Sequence, residues 1–189
     1  MYYDVTIAGF GGQGVMMMGN VLAEAAMNEG KNVTYWPSYS AEMRGGTANC
    51  TVVVSTKEIG SPIIAFPMSA IIMNLPSLKR FQSKIGKNGL LIANTSLIDQ
   101  GEIKRDDLDI VTAPLISLAR EAGNDRLSNM AALGIFLAKT KLVRVDSLFE
   151  TLSIVLDKRY HHLIPANKKA IQMGMDFVTG PTSAPRIKA

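Results

Sequence analysis

The feature that most constrains this chain lies ten residues from its start. Gly9-Phe10-Gly11-Gly12-Gln13-Gly14 places four glycines in six positions, between a β-branched and aromatic run (Tyr2–Ala8) and a segment of helical spacing. Val15, Met18, Leu22, Ala25 and Ala26 recur on one helical face until Gly30 stops the helix. A glycine-rich turn from a strand into a helix lets the backbone bend tightly and approach a ligand closely. The free N–H groups and dipole of the following helix favour an anion there. The same turn could serve packing alone, but four glycines exceed what a tight turn needs. A nicotinamide dinucleotide is disfavoured, because the second strand (Asn32–Trp36) is followed by Pro37-Ser38 where a ribose-binding carboxylate should stand.

The rest of the chain alternates in the same way. Strands are expected at Asn49–Ser55, Ser69–Asn74, Leu90–Asn94 and Asp109–Thr112. Helices are expected from Pro76 to about Ile85, over Leu115–Ala122 and Ser128–Lys139, after a Ser147-Leu148-Phe149-Glu150 capping box, and from Pro165 to about Phe177. This predicts an α/β fold: a three-layer, Rossmann-like and mostly parallel sheet, helices on both faces and a helical C-terminal part. The first strand–helix–strand unit predicts a parallel pairing of its two strands. One domain over residues 1–179 and a short tail at 180–189 are expected.

Composition narrows the chemistry. Of 189 residues, 47% are apolar, enough for a packed core, and the net charge of +4 (20 basic against 16 acidic) is too small to argue for nucleic acid. The basic residues are scattered. There is one cysteine, Cys50, in an apolar run, so this chain alone cannot ligate an iron–sulfur cluster and Cys50 is expected to be a buried hydrophobe. No apolar run reaches membrane-spanning length, and Met1–Ala8 lacks a basic leader and carries Asp4, so a cytoplasmic protein with no membrane partner is expected. His161 and His162 are adjacent, would point apart on a regular element, and have no third ligand in view, so no metal site is expected.

A second candidate loop is Ser40-Ala41-Glu42-Met43-Arg44-Gly45-Gly46. A guanidinium beside two glycines offers planar donors next to open backbone, which suits phosphate or carboxylate, with Glu42 near enough to orient it. An ordinary solvated ion pair is the plainer alternative. Both glycine-rich loops follow strands expected to be neighbours, so they should border one crevice at the carboxyl end of the sheet. Asn129, at the head of a helical apolar face, reads first as a buried amide satisfying backbone groups and second as a ligand contact. No nucleophile–base pair can be argued, so the chain reads as a binding module and not as a self-sufficient catalyst.

These residues resemble a known family. Ala8-Gly9-Phe10-Gly11-Gly12-Gln13-Gly14-Val15 followed by Ser38-Tyr39-Ser40-Ala41-Glu42-Met43-Arg44-Gly45-Gly46-Thr47 is similar to the signature of the gamma subunit of 2-oxoacid:ferredoxin oxidoreductases. Ile71-Ile72-Met73-Asn74, Gly89-Leu90-Leu91-Ile92 and Asn129-Met130-Ala131-Ala132-Leu133-Gly134 add to the match, which spans residues 4 to 178. The resemblance implies a subunit without turnover of its own. Its alpha and beta partners hold thiamine diphosphate, and iron–sulfur clusters on the beta or a delta subunit pass electrons to ferredoxin. It further implies scaffold and part of a coenzyme A site here, with Gly9, Gly11, Gly12, Gln13, Gly14, Glu42, Arg44, Gly45, Gly46 and Asn129 as the candidate binding set. The expected substrate is 2-oxoglutarate, with 2-oxoisovalerate or pyruvate as alternatives. A stand-alone nucleotide-binding module and a structural spacer are the rival readings. Isolated, the chain could form a homodimer through faces normally covered.

Overall fold

The computed structural model describes residues 1–39 and 47–180. Six strands form one sheet: β1 (Tyr2–Phe10), β2 (Asn32–Tyr39), β3 (Thr47–Ser55), β4 (Ser69–Ile72), β5 (Leu90–Asn94) and β6 (Asp109–Ala113). Their order is β2-β3-β1-β4-β5-β6. β1, β4, β5 and β6 run parallel, whereas β3 is antiparallel to both β1 and β2. The helices are α1 (Val15–Asn28), α2 (Leu75–Phe81), α3 (Leu115–Glu121), α4 (Ser128–Thr140), α5 (Val145–Val155) and α6 (Ile164–Thr179). The predicted mostly parallel α/β sheet with a helical C-terminal part is therefore what the chain forms. Among the described residues, no helix is long and apolar enough to cross a membrane.

One expectation is corrected. β1 and β2 do not pair; β3 is inserted between them. β3 returns antiparallel from β2 and aligns with β1 over nine residues, from Tyr2 opposite Ser55 to Phe10 opposite Thr47. β1 and β2 still point the same way, because each is antiparallel to β3. The α1 crossover thus spans one extra strand.

Side chains alternate across this sheet and build two cores. One face carries Val5 and Ile7, Cys50, Val52 and Val54, Ile71, and Ile92, buried against α1, α4 and the remaining C-terminal helices. The other carries Ala8, Ala70, Ile72, Leu91 and Ala93 against Leu78 and Phe81 of α2. β4 and β5 are buried along their whole length, as their apolar runs, Ala70–Ile72 and Leu90–Ala93, require of strands covered on both sides. Cys50 is fully buried, and burial pushes its thiol up to about 12, with a hydrogen bond from the Gly19 amide only partly countering it. It is the inert hydrophobe its sequence context suggested.

α4 and α6 meet at two glycines. A Cβ on Gly134 would lie 2.0 Å from the carbonyl oxygen of Ile171, and one on Gly174 would lie 2.0 Å from that of Ala131. Each glycine seats a backbone carbonyl of the opposite helix, which cannot step aside as a side chain could.

The start of α5 is also settled by tertiary contact. Ser147 does not cap it; the helix begins at Val145, and Ser147 lies within its first turn. The cap comes from Glu29, just after α1, which accepts the Arg144 amide at 2.7 Å. A carboxylate at a helix N-terminus also complements the dipole. Burial alone would raise the Glu29 carboxyl. Hydrogen bonds from Lys31, the Arg144 amide and Ser147 outweigh it and hold the group at about 2. Lys31 is fixed in turn by the Leu142 carbonyl.

Replacing Gly134 or Gly174 by Ala should destabilise the chain by about 1–3 kcal/mol, the range for overpacking, despite Ala being the better helix former; unchanged urea midpoints would contradict the close crossing. Because the Glu29 carboxyl sits below its ordinary 4.5, its contribution is complete above that pH and lost as pH falls toward 2. The stability gap between wild type and Glu29→Gln should therefore close across that window, and parallel pH–stability curves would contradict it.

Candidate functional site

The carboxyl ends of β1, β4, β5 and β6 form one rim, and the glycine turn stands on it. β1 ends at Phe10. The turn is closed by the Gln13 amide donating to the Phe10 carbonyl at 3.1 Å, and by the Phe10 amide donating to Gln13 Oε1 at 2.7 Å. Gly12 (φ 94°) and Gly14 (φ 71°) hold left-handed conformations that a side chain would strain. Gly14 is then the N-cap of α1, and no side chain caps that helix.

The members of the motif have different tasks. Gly9 is buried, and a Cβ there would meet Gln13 Oε1 at 2.6 Å and Met73 Cβ at 2.9 Å. Gly11 and Gly12 form an exposed apex where an added Cβ would find nothing within 4 Å. Gln13 turns inward. Its Oε1 also accepts from Asn74 Nδ2 at 2.9 Å, and its Nε2 reaches the Met73 carbonyl at 3.5 Å. The Gln13 carboxamide thus braces the turn, and the open surface is the Gly11–Gly12 backbone.

Asn129 closes the back of the turn. It is 6% exposed, and its Nδ2 lies 3.5 Å from the Gly14 carbonyl oxygen. A Cβ on Gly14 would collide with that amide at 2.2 Å. The Asn129 Oδ1 has no hydrogen-bond partner among the described residues. This is the backbone-supporting role that was the first reading for Asn129. The contact also brings together the N-terminal ends of α1 and α4. Neither has a side-chain cap and neither has an acidic residue in its first turn. The α1 end is uncompensated, whereas α4 continues directly from a 3-10 turn, Asp125–Leu127, that the Asn124 side chain caps and Asp125 opens. One free helix N-terminus therefore lies behind the exposed apex.

Sequence reasoning missed a row of amides that ties this rim together. Asn74 caps α2 by accepting the Ser77 amide at 2.9 Å while donating to Gln13. Asn94 donates to the Met73 carbonyl at 3.2 Å and accepts the Ser96 amide at 3.2 Å. Ser96 Oγ then accepts the amide of Ile116 in α3. The signal was present: each asparagine follows an apolar run, Ala70–Met73 or Leu90–Ala93, a polar residue at the position where a buried run must meet the rim.

Glu42, Arg44, Gly45 and Gly46 lie outside the described residues. Their attachment points are within them. The chain leaves at Tyr39, the last residue of β2, and re-enters at Thr47, the first of β3, directly opposite Phe10. Arg80 of α2 donates to Thr47 Oγ1 at 3.2 Å. The two glycine-rich segments therefore spring from the same end of the sheet, although their preceding strands are not neighbours.

Comparison with known proteins agrees with this architecture. Residues 4–177 match the family described as pyruvate ferredoxin/flavodoxin oxidoreductase. The chain is 40% identical over 173 residues to ketoisovalerate oxidoreductase subunit VorA of Methanothermobacter marburgensis, covering 92% of this chain but 36% of that subunit, so it spans about a third of that relative's length. It is 30% identical over 175 residues to 2-oxoglutarate synthase subunit KorC of Archaeoglobus fulgidus, covering 92% of this chain and 87% of that one. The same fold occurs in the keto/oxoacid ferredoxin oxidoreductase gamma subunit of Geobacter sulfurreducens, with a TM-score of 0.80, 22% identity, and coverage of 93% of this chain and 95% of that one. Matched over residues 4–177 and 30% identical to a relative of nearly its own length, the chain belongs to the pyruvate ferredoxin/flavodoxin oxidoreductase family.

Proposed function

We propose that this chain is the gamma-type component of a 2-oxoacid:acceptor oxidoreductase and that its rim holds part of coenzyme A in the assembled enzyme. The observation that carries the reading is the exposed Gly11–Gly12 apex, backed by the uncapped N-terminal end of α1, at the end of the sheet where the chain leaves and re-enters around the Arg44 segment. Backbone donors there suit phosphate oxygens, and Arg44 would add a planar pair of charged donors. This chain's task is binding and orientation: it would hold the phosphate end of the cofactor so that the thiol end reaches a companion subunit. Thiamine diphosphate and the iron–sulfur clusters belong to those companions, as befits a chain whose one cysteine is buried.

The overall reaction would convert a 2-oxoacid and coenzyme A to an acyl-thioester and carbon dioxide, with two electrons leaving through the clusters to ferredoxin. The resemblance to enzymes with short, separate gamma chains leaves 2-oxoglutarate and 2-oxoisovalerate both open, with 2-oxoglutarate as the expectation. The 40% identity to a ketoisovalerate oxidoreductase subunit, against 30% to a 2-oxoglutarate synthase subunit, favours a branched 2-oxoacid instead.

The test is kinetic and uses the assembled enzyme. Gly11→Asp puts a carboxylate on the apex where there is open space, so the fold should be unaffected. Arg44→Ala removes the guanidinium. Each should raise the KM for coenzyme A by about tenfold or more, the value of one charge-assisted hydrogen bond, with the KM for the 2-oxoacid unchanged. Unchanged coenzyme A dependence in both variants would remove the rim from the site.

A further inference from the structure

The opposite end of the sheet carries a surface that the rim does not explain. Between Ser55, the end of β3, and Ser69, the start of β4, the chain makes a long connection. Connections in contact with water are ordinarily polar. Beyond Lys57 and Glu58 this one is not: no charged residue occurs between Glu58 and Lys79. Ile63 is 71% exposed and Phe66 73% exposed. Phe66 and Met68 are exposed on either side of buried Pro67, the alternation of an extended segment that presents two side chains outward. Tyr2 and Met1, at the start of β1, are also exposed.

The segment is held, not loose. The Pro67 and Met68 carbonyls accept the Gly86 and Leu90 amides at 2.9 and 3.0 Å, and the Ser61 hydroxyl accepts the Ile63 amide at 3.0 Å. The Met68 amide donates to Asp4 Oδ1 at 2.7 Å, and Asp4 is buried. Burial pushes the Asp4 carboxyl up, with the Met68 amide and the Tyr2 hydroxyl opposing it. A buried carboxylate whose described partners are this amide and this hydroxyl serves to join Tyr2 and Met68 into one surface. Two prolines restrict the segment further, so ordering it on contact costs little.

Resting on the gamma-type reading above, we infer that Tyr2, Ile63, Phe66 and Met68 form a docking surface for a companion polypeptide of the same oxidoreductase, on the end of the sheet remote from the glycine turn. Exposed Met and aromatic side chains on a stretch without charge, residues 59–68, with the Asp109–Lys139 ion pair bordering Met68, match an apolar interface core with a polar rim. The occupant follows from the relatives: in the VorA subunit the matched region is 36% of a longer chain, so there the module is tied to further oxidoreductase polypeptide and has a permanent neighbour. A surface remote from the rim lets that neighbour bind without closing the site to coenzyme A.

The test compares the tagged chain purified from its native host with an Ile63→Ser/Phe66→Ser variant, and with Ile154→Ser, another well-exposed apolar position, on α5, as control. Wild type and Ile154→Ser should co-elute with 2-oxoacid-dependent dye-reducing activity. The double variant should bind its companion about 30-fold more weakly, as loss of an anchor pair does, while keeping the circular dichroism of the folded chain. Hydroxyl-radical footprinting of the unmutated chain gives a readout free of folding effects: Phe66 and Met68 should be oxidised at least about fivefold more slowly in the complex, as expected of a desolvated interface core. Co-elution of the double variant at wild-type strength, or equal oxidation of Phe66 free and assembled, overturns the inference. So does protection arising from a homodimer of this chain. Wild type eluting without any such activity would instead overturn the gamma-type reading on which the inference rests.

Discussion

Everything on the rim that carries the glycine turn depends on the position of β1 in the sheet. It is hydrogen-bonded on one side to β3 along nine residues and on the other to β4, and it ends flush with the start of β3 at the Phe10–Thr47 pair. That flush end fixes where the glycine turn stands. It also fixes where the chain must leave β2 and re-enter β3. The inserted strand puts one root of the second glycine-rich segment, Thr47, directly beside Phe10, while the other, Tyr39, lies one strand further out.

On that frame the turn divides into a rigid half and an open half. Gly9, Gln13 and Gly14 are packed or bonded inward, braced by Asn74 and Asn129. Gly11 and Gly12 are left facing outward with no side chain near them. A site of this kind presents backbone dipoles whose orientation is already set, so little ordering remains to be done when an anion arrives. The other end of the sheet is built on a different principle. There a buried carboxylate, Asp4, fastens an uncharged segment whose largest side chains point into solvent. One end suits a charged small molecule and the other an apolar surface.

Much of this was legible in the sequence, for identifiable reasons. β4 and β5 read correctly because buried parallel strands are continuous apolar runs, and α1 and α4 because their apolar residues recur at helical spacing. The glycine motif marked the turn. Strand order was not legible: the hairpin that inserts β3 depends on pairing partners, and a crossover helix alone does not say how many strands it spans. The Ser147 capping box failed because Glu29, more than a hundred residues away, caps α5 in its place. Gln13 counted as a candidate contact, but whether a carboxamide faces a ligand or its own turn is decided by Asn74 and Met73, which no local pattern reveals. Asn74 and Asn94 were visible only as the ends of strands.

The central claim is that the two glycine-rich segments act together on one anionic ligand. Hydrogen–deuterium exchange on the assembled enzyme, with and without coenzyme A, addresses it most directly. The account predicts that amides of residues 10–17 and of 40–47 slow together on addition of coenzyme A, while those of 59–68 are unaffected. Slowing confined to other parts of the enzyme, with both segments exchanging as before, would contradict it.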